Sequence, residues 1–494
     1  MARGFQRISG NAFQMFKQVF LVEKLNNTFG FIFFGVLALL IGWSIATQNQ
    51  LGLAAMAIIV LLPVVYSIVV FPKFGIILLL VSAYFIMFLL RLNLVNFPLG
   101  TVMDMIQALL ILGFFIKQKY NPDWKIFRDP IGILVLIWVA YNVIQFANPT
   151  AESRLAWVYT IRSTAAVMLM YFVFVYHIRD LSFIRLLFKI WLILALIGAL
   201  YALKQHHIGF FDFEEAEINS PRLKRLLFIG GVWRKFSIFS DPVAFSYNMV
   251  TASLFCITQL LANISKTKKI VYAILVITYV YAMLLSGTRG AYVLIPASMF
   301  LLAVLNLNRK ILIVSILTFG FLAALIYAPV GSPSIRRFQS AFRPSNDASF
   351  NVRAINQARL QPYIRSHPFG GGLGATGGWG VRFAPHSYLA QFPPDSGYVR
   401  VSAELGWIGL LLLCTLFFII LKTGINNYFL IRDPELKSYC LAMILIIFAY
   451  MIGNYPQEAI VQFPSNIFFY LFVALITVTL RLDYTSRKPD KSLI

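Results

Sequence analysis

Long apolar runs are the feature that most constrains this sequence. A helix that crosses a bilayer needs about 20 predominantly apolar residues, and about fourteen runs of that kind lie between residues 28 and 480. Hydrophobic residues make up 59% of the 494-residue chain and charged residues only 12%, whereas a soluble domain is about 45–50% apolar and about 25% charged. We therefore predict an all-α, polytopic integral membrane protein. The composition excludes a soluble enzyme, a disordered chain and a nucleic-acid-binding domain.

The distribution of basic residues predicts how the chain is threaded through the membrane. The 42 Lys and Arg residues outnumber the 19 Asp and Glu residues, and they gather in alternate short connections, as the positive-inside rule requires of cytoplasmic loops. With an even number of spans, both termini are expected in the cytoplasm, and the first run is expected to be an uncleaved signal anchor. The predicted segments are an N-terminal segment at 1–27, eleven spans at 28–328 with an outer loop at 204–241, a large outer loop at 329–400, three spans at 401–480 and a tail at 481–494.

The large outer loop is rich in arginine and contains no lysine. Its arginines are opposed only by Asp347 and Asp395, and they are Arg336, Arg337, Arg343, Arg353, Arg359, Arg365, Arg382 and Arg400. The positive-inside rule gives no reason for arginine alone in a translocated loop, whereas the five-donor guanidinium group binds phosphate in a bidentate manner. We therefore favour a phosphorylated, anionic ligand at the outer face over a merely solvated basic surface.

Two local patterns stand out within this loop. Residues 349–365 indicate a short amphipathic helix, which His367-Pro368 should end. The helix is followed by Gly370-Gly371-Gly372-Leu373-Gly374. A glycine run can bring backbone N–H groups close to an anion, or it can act as a flexible hinge. The sequence leaves both roles open.

Three further arginines lie at or near predicted spans. Arg289 is confined between two apolar runs, and because a charge there is costly unless it is paired, we interpret it as functional rather than as a snorkelling anchor. Arg234 precedes Asp241-Pro242, in which Asp as N-cap and Pro at the first helical position predict a helix start. Arg162 lies inside the sixth span, where it could line the same site or bind a helix carbonyl.

Two side chains before the twelfth span could accept a proton from a hydroxyl group, namely His386 and Asp395. Loop packing and turn formation are the alternative roles of these residues. Three acidic residues of the 204–241 loop, Asp212, Glu214 and Glu215, could provide oxygen ligands for a divalent metal. Acidic residues that are merely solvated in such a loop are far commoner than metal ligands. The three cysteines lack the spacing of a metal or redox site. We therefore predict neither a metal nor another cofactor.

These segments together resemble the O-antigen ligase and O-antigen polymerase superfamily of bacterial envelope enzymes. The matching pieces are Arg234 to Pro242 before a span, Ser286 to Gly290 between two spans, His367 to Gly374, and Asp395 to Gly409 running into an apolar helix. The similarity extends from about Arg162 to about Leu421. Each motif is weak by itself, and their order, spacing and topology carry the resemblance.

The resemblance implies a metal-independent, inverting glycosyltransferase of the second GT-C type in the bacterial inner membrane, with its active site facing the periplasm. Its donor would be a glycan on undecaprenyl diphosphate, and its acceptor a hydroxyl of lipid A-core or of another lipid-linked glycan. Arg234 and Arg289 would clamp the diphosphate. The other expected binding residues are Arg162, Arg353, Arg359, Arg400 and Tyr398, and the expected catalytic residues are Asp395, His386 and Arg289.

The chain departs from the ligase pattern at one position. Ligases typically place His-Asn or His-Ser where this chain has Asp395-Ser396. Either Asp395 replaces the histidine, as a polymerase would have it and as we prefer, or His386 keeps the role through a longer loop. A flippase for lipid-linked oligosaccharides is the alternative function. The chain shows no internal repeat and gathers charge in one outer loop, which favours the enzyme.

Overall fold

The computed structural model describes residues 28–47, 61–92, 99–229, 231–306, 348–393 and 396–487, with scattered residues between 313 and 342. The chain divides into two compact units, 1–70 and 71–494. The first contains helices α1 (Thr28–Thr47) and α2 (Leu61–Val70). The second begins with α3 (Pro72–Arg91), α4 (Leu99–Tyr120), α5 (Pro130–Ile144), α6 (Arg154–Thr164), α7 (Met170–His177) and α8 (Leu181–His207).

The remainder of the second unit contains the outer segments and the last spans. Its elements are α9 (Asp212–Ile218), α10 (Pro221–Leu227), a hairpin of β1 (Phe228–Ile229) and β2 (Val232–Trp233), α11 (Pro242–Leu261), α12 (Lys266–Leu285), α13 (Arg289–Leu305), α14 (Ala348–Ser366), α15 (Gly377–Phe383), α16 (Gly397–Leu430), α17 (Pro434–Gly453) and α18 (Ser465–Arg487). The predicted helix at 349–365 is confirmed by α14.

The described helices are those of a polytopic membrane protein. By length and composition, ten are able to cross a membrane: α3, α4, α5, the consecutive α6 and α7, α8, α11, α12, α16, α17 and α18. Three apolar helices are shorter, in α1, α2 and α13. Most of the predicted run at 310–328 lies outside the described residues. The all-α class is therefore confirmed, and the count of about fourteen spans stays a prediction.

Helices α11, α17 and α18 form the centre of the second unit. Most of their residues are buried, and α17 packs against α11, α13, α16 and α18. Aromatic rings fill the space between them and α8. The Trp191 ring lies 5.6 Å from that of Phe255 and 4.9 Å from that of Phe472. This packed centre fixes the loop between α17 and α18, which carries part of the site described below.

Helix α16 is kinked at Gly406, and the kink organises the glycine run. Gly406 has φ +70° and ψ −178°, so the carbonyl groups before it lack helical partners. Gly371 N–H donates to Ala403 O and Gly372 N–H to Glu404 O, both at 2.9 Å. A Cβ at Gly370 would lie 2.4 Å from the Glu404 carbonyl. These glycines therefore pack against the kink. The N–H groups of Gly371 and Gly372 donate to backbone carbonyl groups of α16, so the anion-binding interpretation is wrong for these two groups.

Candidate active site

One end of the helix bundle holds a cavity of about 490 Å³. The ends of six helices meet around the cavity. Helices α3 and α12 end there, and α11, α13 and α18 begin there. Helix α17 ends just before Pro456–Ala459, a segment that lines the cavity. The loop that contains α9, α10 and the hairpin forms another side. Among the described residues, three carboxylates line the cavity, Glu217, Asp241 and Glu458. They are opposed by five described arginines, Arg91, Arg225, Arg234, Arg289 and Arg353. The lining therefore suits an anion.

Arg234 and Arg289 come together through the turn before α13. Arg234 Nε donates to Ser286 O and its Nη2 to Thr288 Oγ1, both at 3.0 Å. Gly287 makes this turn possible with a φ of +60°, a conformation that glycine adopts without a Cβ penalty. Arg289 is the first residue of α13, so its side chain lies beside a helix N-terminus, which also favours an anion. The structure brings together the two arginines that the sequence analysis placed on one ligand.

Arg353 joins these two arginines from the Arg-rich outer segment. It lies in α14, and its half-buried side chain lines the cavity. Arg359, from the same helix, is exposed and does not line the cavity. The arginine-rich loop therefore supplies at least one cavity residue.

Arg91 and Arg225 also line the cavity, and the sequence analysis missed both. The Arg91 side chain is 7% exposed; its Nε donates to Glu217 at 3.0 Å, and its Nη2 donates to Phe239 O at 2.7 Å. It therefore ties the 204–241 loop to the end of α3. The signal was present in the sequence, since Arg91 is a basic residue in a connection that the charge pattern assigns to the outer side.

Asp241 has the capping role that the sequence predicts. Its Oδ1 accepts from the N–H groups of Val243 and Ala244, at 2.7 and 3.0 Å, and its Oδ2 accepts from Ser240 Oγ at 2.8 Å. This cap begins α11 directly at the cavity. Both oxygens of the carboxylate are thus used within the protein.

Glu458 reaches the cavity from the loop between α17 and α18, and it belongs to a network of charged groups. Arg400 Nη1 donates to Glu458 Oε1 at 2.9 Å, and Arg400 Nε donates to Glu404 Oε1 at 3.2 Å. Glu404 also accepts from Gly374 N–H, Thr376 N–H and Thr376 Oγ1. The three charged side chains are 2–13% exposed. Arg400 is therefore placed behind the cavity wall, and sequence reasoning missed both of its partners.

Three other expected site residues, Arg162, Tyr398 and His386, are described and do not line the cavity. Arg162 pairs with Asp104 at 2.7 Å and donates to Tyr159 O at 3.2 Å, which is the structural alternative that the sequence left open. Tyr398 OH donates to Met451 O at 2.7 Å. His386 is exposed and is not part of the cavity lining, and Asp395 lies outside the described residues.

No group of three potential metal ligands occurs within the part of the chain that the structure describes. In the acidic segment of the 204–241 loop, Glu214 is buried, and it accepts from Gln205 Nε2 at 2.7 Å and from Phe211 N–H at 2.9 Å. Its carboxylate thus stabilises the start of α9. The acidic segment has a structural explanation at this residue.

Comparison with known proteins shows a match to a protein-family model over part of the chain. Residues 274–414 match the sequence model of the O-antigen ligase family, which confirms the resemblance to the O-antigen ligase and polymerase superfamily. The match includes Arg289, Arg353 and Arg400, whereas Arg234 and Glu458 lie outside it. A search of curated proteins finds no match. The family match supports glycosyl transfer of the O-antigen ligase or polymerase type by a multi-pass membrane protein.

Proposed function

We propose that the protein transfers a glycan from an undecaprenyl-diphosphate-linked donor to a hydroxyl group of an acceptor at the periplasmic face of the inner membrane. The acceptor is lipid A-core or a second lipid-linked glycan. The cavity with five arginines carries this proposal, because a diphosphate is the anionic group that such a donor presents. The family match provides independent support.

Arg234, Arg289 and Arg353 form the diphosphate-binding part of the cavity. In the reaction, the acceptor hydroxyl gives its proton to a base while its oxygen attacks the anomeric carbon from the face opposite the diphosphate, and the bond between that carbon and the phosphate oxygen breaks. The electron pair leaves with the diphosphate. Guanidinium groups fixed around that leaving group stabilise its charge as it develops, and preorganised charge of this kind is the largest contribution in many enzymes. This chemistry needs no metal ion.

The position of the cavity fits the expected topology. It lies at the end of α3, α12 and α17 and at the start of α11, α13 and α18. The basic connections assigned to the cytoplasm adjoin the opposite ends of these helices, for example at Lys73, Lys266 and Arg432. A donor whose lipid lies in the outer leaflet would present its diphosphate at the level of this cavity.

Substitution of the arginines tests the proposal. Purified protein in lipid nanodiscs is given a synthetic undecaprenyl-diphosphate glycan and an acceptor glycan, and transfer is followed by chromatography. Arg234→Ala and Arg289→Ala should each lower transfer by about 10²-fold or more, and Lys should restore little, because it cannot bind two phosphate oxygens at once.

The matched control is Arg185→Ala. Arg185 is paired with Glu435 at 2.6 Å, is exposed, and lies at the opposite end of the bundle. Transfer by this variant should stay close to that of the wild type. Full activity in Arg289→Ala would remove that residue from the mechanism, and loss of folded protein in the same variant would support a structural role instead.

The surface glycan of a deletion strain distinguishes the two acceptors. A strain without a ligase should accumulate polymer on the lipid carrier, whereas a strain without a polymerase should show a single repeat unit on its lipid A-core. Unchanged long-chain glycan in the deletion strain would contradict both roles.

A further inference from the structure

Arg234 can clamp a diphosphate only if its guanidinium group is held towards the cavity, and the inference drawn from its contacts rests on the proposed function. An arginine side chain has several rotatable bonds and loses rotamer freedom when a ligand fixes it. Contacts that fix the side chain before the ligand arrives remove much of that cost, which is the general effect of preorganisation. The protein groups that hold Arg234 therefore bear directly on donor binding.

Arg234 is held by the turn between α12 and α13. Its Nε donates to Ser286 O and its Nη2 to Thr288 Oγ1, both at 3.0 Å. Its Nη1 donates to Leu226 O at 3.3 Å. Nε and Nη2 form one edge of the planar guanidinium group, so the turn binds that edge at two points. Two hydrogen bonds along one edge fix the direction of the group as well as its position.

The Thr288 hydroxyl group has a defined orientation. Besides accepting from Arg234, it donates to Pro242 O at 3.0 Å, and Thr288 is only 4% exposed. A hydroxyl has one proton to donate and two lone pairs that accept. Because a carbonyl oxygen can only accept, the proton is used at Pro242, and a lone pair meets the N–H group of Arg234. The Thr288 oxygen therefore accepts from Arg234 in a set geometry.

Thr288 joins three segments that line the cavity. Arg234 follows β2, Pro242 is the first residue of α11, and Arg289, the residue after Thr288, is the first residue of α13. The turn is itself held by Ser286 Oγ, which accepts from Thr288 N–H at 3.1 Å. One hydroxyl group thus links the segments that carry the two arginines of the proposed diphosphate site.

We propose that Thr288 is a positioning residue for donor binding and that it acts through Arg234. Its hydroxyl holds the Arg234 guanidinium group beside the start of α13, so that Arg234 and Arg289 meet the donor diphosphate as a preformed pair. Thr288 itself neither takes up a proton nor forms a bond to the substrate during transfer. It contributes to the binding of the leaving group, first in the donor and then as the charge on the diphosphate develops.

Thr288→Val tests this role, because valine keeps the branched shape of threonine and lacks the hydroxyl group. The nanodisc assay gives kcat and the KM for the synthetic lipid-diphosphate donor. We expect the donor KM to rise by about 10-fold or more, as for the loss of one hydrogen bond to a charged group. Thr288→Ser keeps the hydroxyl and should restore most of the loss. A merely structural defect would lower kcat through loss of active enzyme and leave KM unchanged.

A double-mutant cycle shows whether Thr288 acts through Arg234. Once Arg234→Ala has removed the guanidinium group, the Thr288 hydroxyl has nothing left to position there. Adding Thr288→Val to Arg234→Ala should therefore change the donor KM by much less than it does in the wild-type background. An equal change in both backgrounds would show that the hydroxyl acts on the donor directly or elsewhere, and would overturn the proposal.

Thr258→Val is the matched control. Thr258 is 1% exposed, and its hydroxyl donates to Phe255 O at 2.7 Å near the other end of α11. The same change of side chain at this position should leave both kcat and the donor KM at their wild-type values. A wild-type donor KM in Thr288→Val itself would contradict the positioning role.

Two further results keep the outcome decisive. If Thr288→Val does not fold, Thr288→Ser and Thr288→Ala are compared, since these two variants differ only in the hydroxyl group. An equal donor KM in both overturns the proposal, and a KM raised in Thr288→Ala alone supports it. If wild-type protein transfers glycan and Thr288 is dispensable, only this inference fails. If wild-type protein neither binds nor uses any lipid-diphosphate donor, the proposed function itself fails.

Discussion

Two neighbouring basic residues of the 204–241 loop, Arg234 and Lys235, have different environments. Arg234 faces the cavity, whereas the Lys235 side chain is 7% exposed, with Nζ 4.4 Å from the centre of the Phe210 ring. Burial lowers the pKa of Lys235 to about 8, an effect that the carboxylate of Glu214 opposes. The cationic form of Lys235 is therefore less favourable in the folded protein than in the unfolded chain.

This burial predicts a pH-dependent stability. Between about pH 8 and the unfolded value near 10.5, the unfolded chain binds more protons, so the free energy of unfolding should rise with pH. Lys235→Met should remove that rise and stabilise the protein below pH 8 by about 1–3 kcal/mol, since each pKa unit corresponds to about 1.4 kcal/mol. Unfolding of the two purified proteins at pH 7 and pH 10 measures the effect. An equal difference at both pH values would contradict it.

At the scale of the elements, the glycine run and the kink in α16 depend on each other. The kink at Gly406 frees carbonyl groups, the glycines donate to them, and Gly374 N–H continues to Glu404 at 2.9 Å. Glu404 holds Arg400, which holds Glu458 at the cavity. A local backbone feature thus supports a side chain on a loop more than fifty residues away in the sequence.

Gly406→Ala tests whether the protein's stability depends on this packing of the kink against the glycine run. A Cβ at this position would lie 1.9 Å from Pro368 O, and the φ of +70° with an extended ψ is a conformation that essentially only glycine adopts. We expect a loss of stability of at least about 2 kcal/mol and a lower apparent melting temperature in detergent. Gly378→Ala is the control, because nothing lies within 4 Å of its added Cβ, and its melting temperature should stay unchanged. Equal melting temperatures for Gly406→Ala and wild type would contradict this account.

At the scale of the whole second unit, the two ends of the helix bundle differ in how their charged residues are arranged. The anion-binding cavity lies at one end of the bundle, whereas the connections that adjoin the opposite ends carry basic residues paired with carboxylates, such as Lys73 with Asp180 and Arg185 with Glu435. The positive-inside rule assigns the second end to the cytoplasm. The cavity would then open to the periplasm.

Cysteine labelling tests this orientation. In a background without the exposed Cys414, a cysteine at Ser220, beside the cavity, should react with an impermeant thiol reagent in intact cells. A cysteine at Ser265, which precedes α12 at the other end, should react only after the cells are opened. A cysteine at Ser345, outside the described residues, should behave like that at Ser220. Labelling of Ser265 but not of Ser220 in intact cells would reverse the orientation.

The sequence by itself determined the helical membrane class, the start of α11 at Asp241-Pro242 and the helix α14, and these inferences succeeded because their causes are local. It also led us to expect Arg234, Arg289 and Arg353 at one anion-binding site; the three residues line one cavity, and their binding of an anion stays a prediction. Hydropathy over one span, a cap within three residues and the cost of a charge beside apolar runs can all be read along a short stretch of chain.

The tertiary structure alone decided which partners the remaining residues have. Arg162 bonds to Asp104, 58 positions away, and Arg400 to Glu458, also 58 positions away, and the glycine run bonds to a helix that begins after it. Nothing in the local pattern of Glu458 distinguishes it from an ordinary loop residue. Its position at the cavity depends on how α16, α17 and α18 pack together, because a long-range ion pair forms only where folding brings its two side chains within reach.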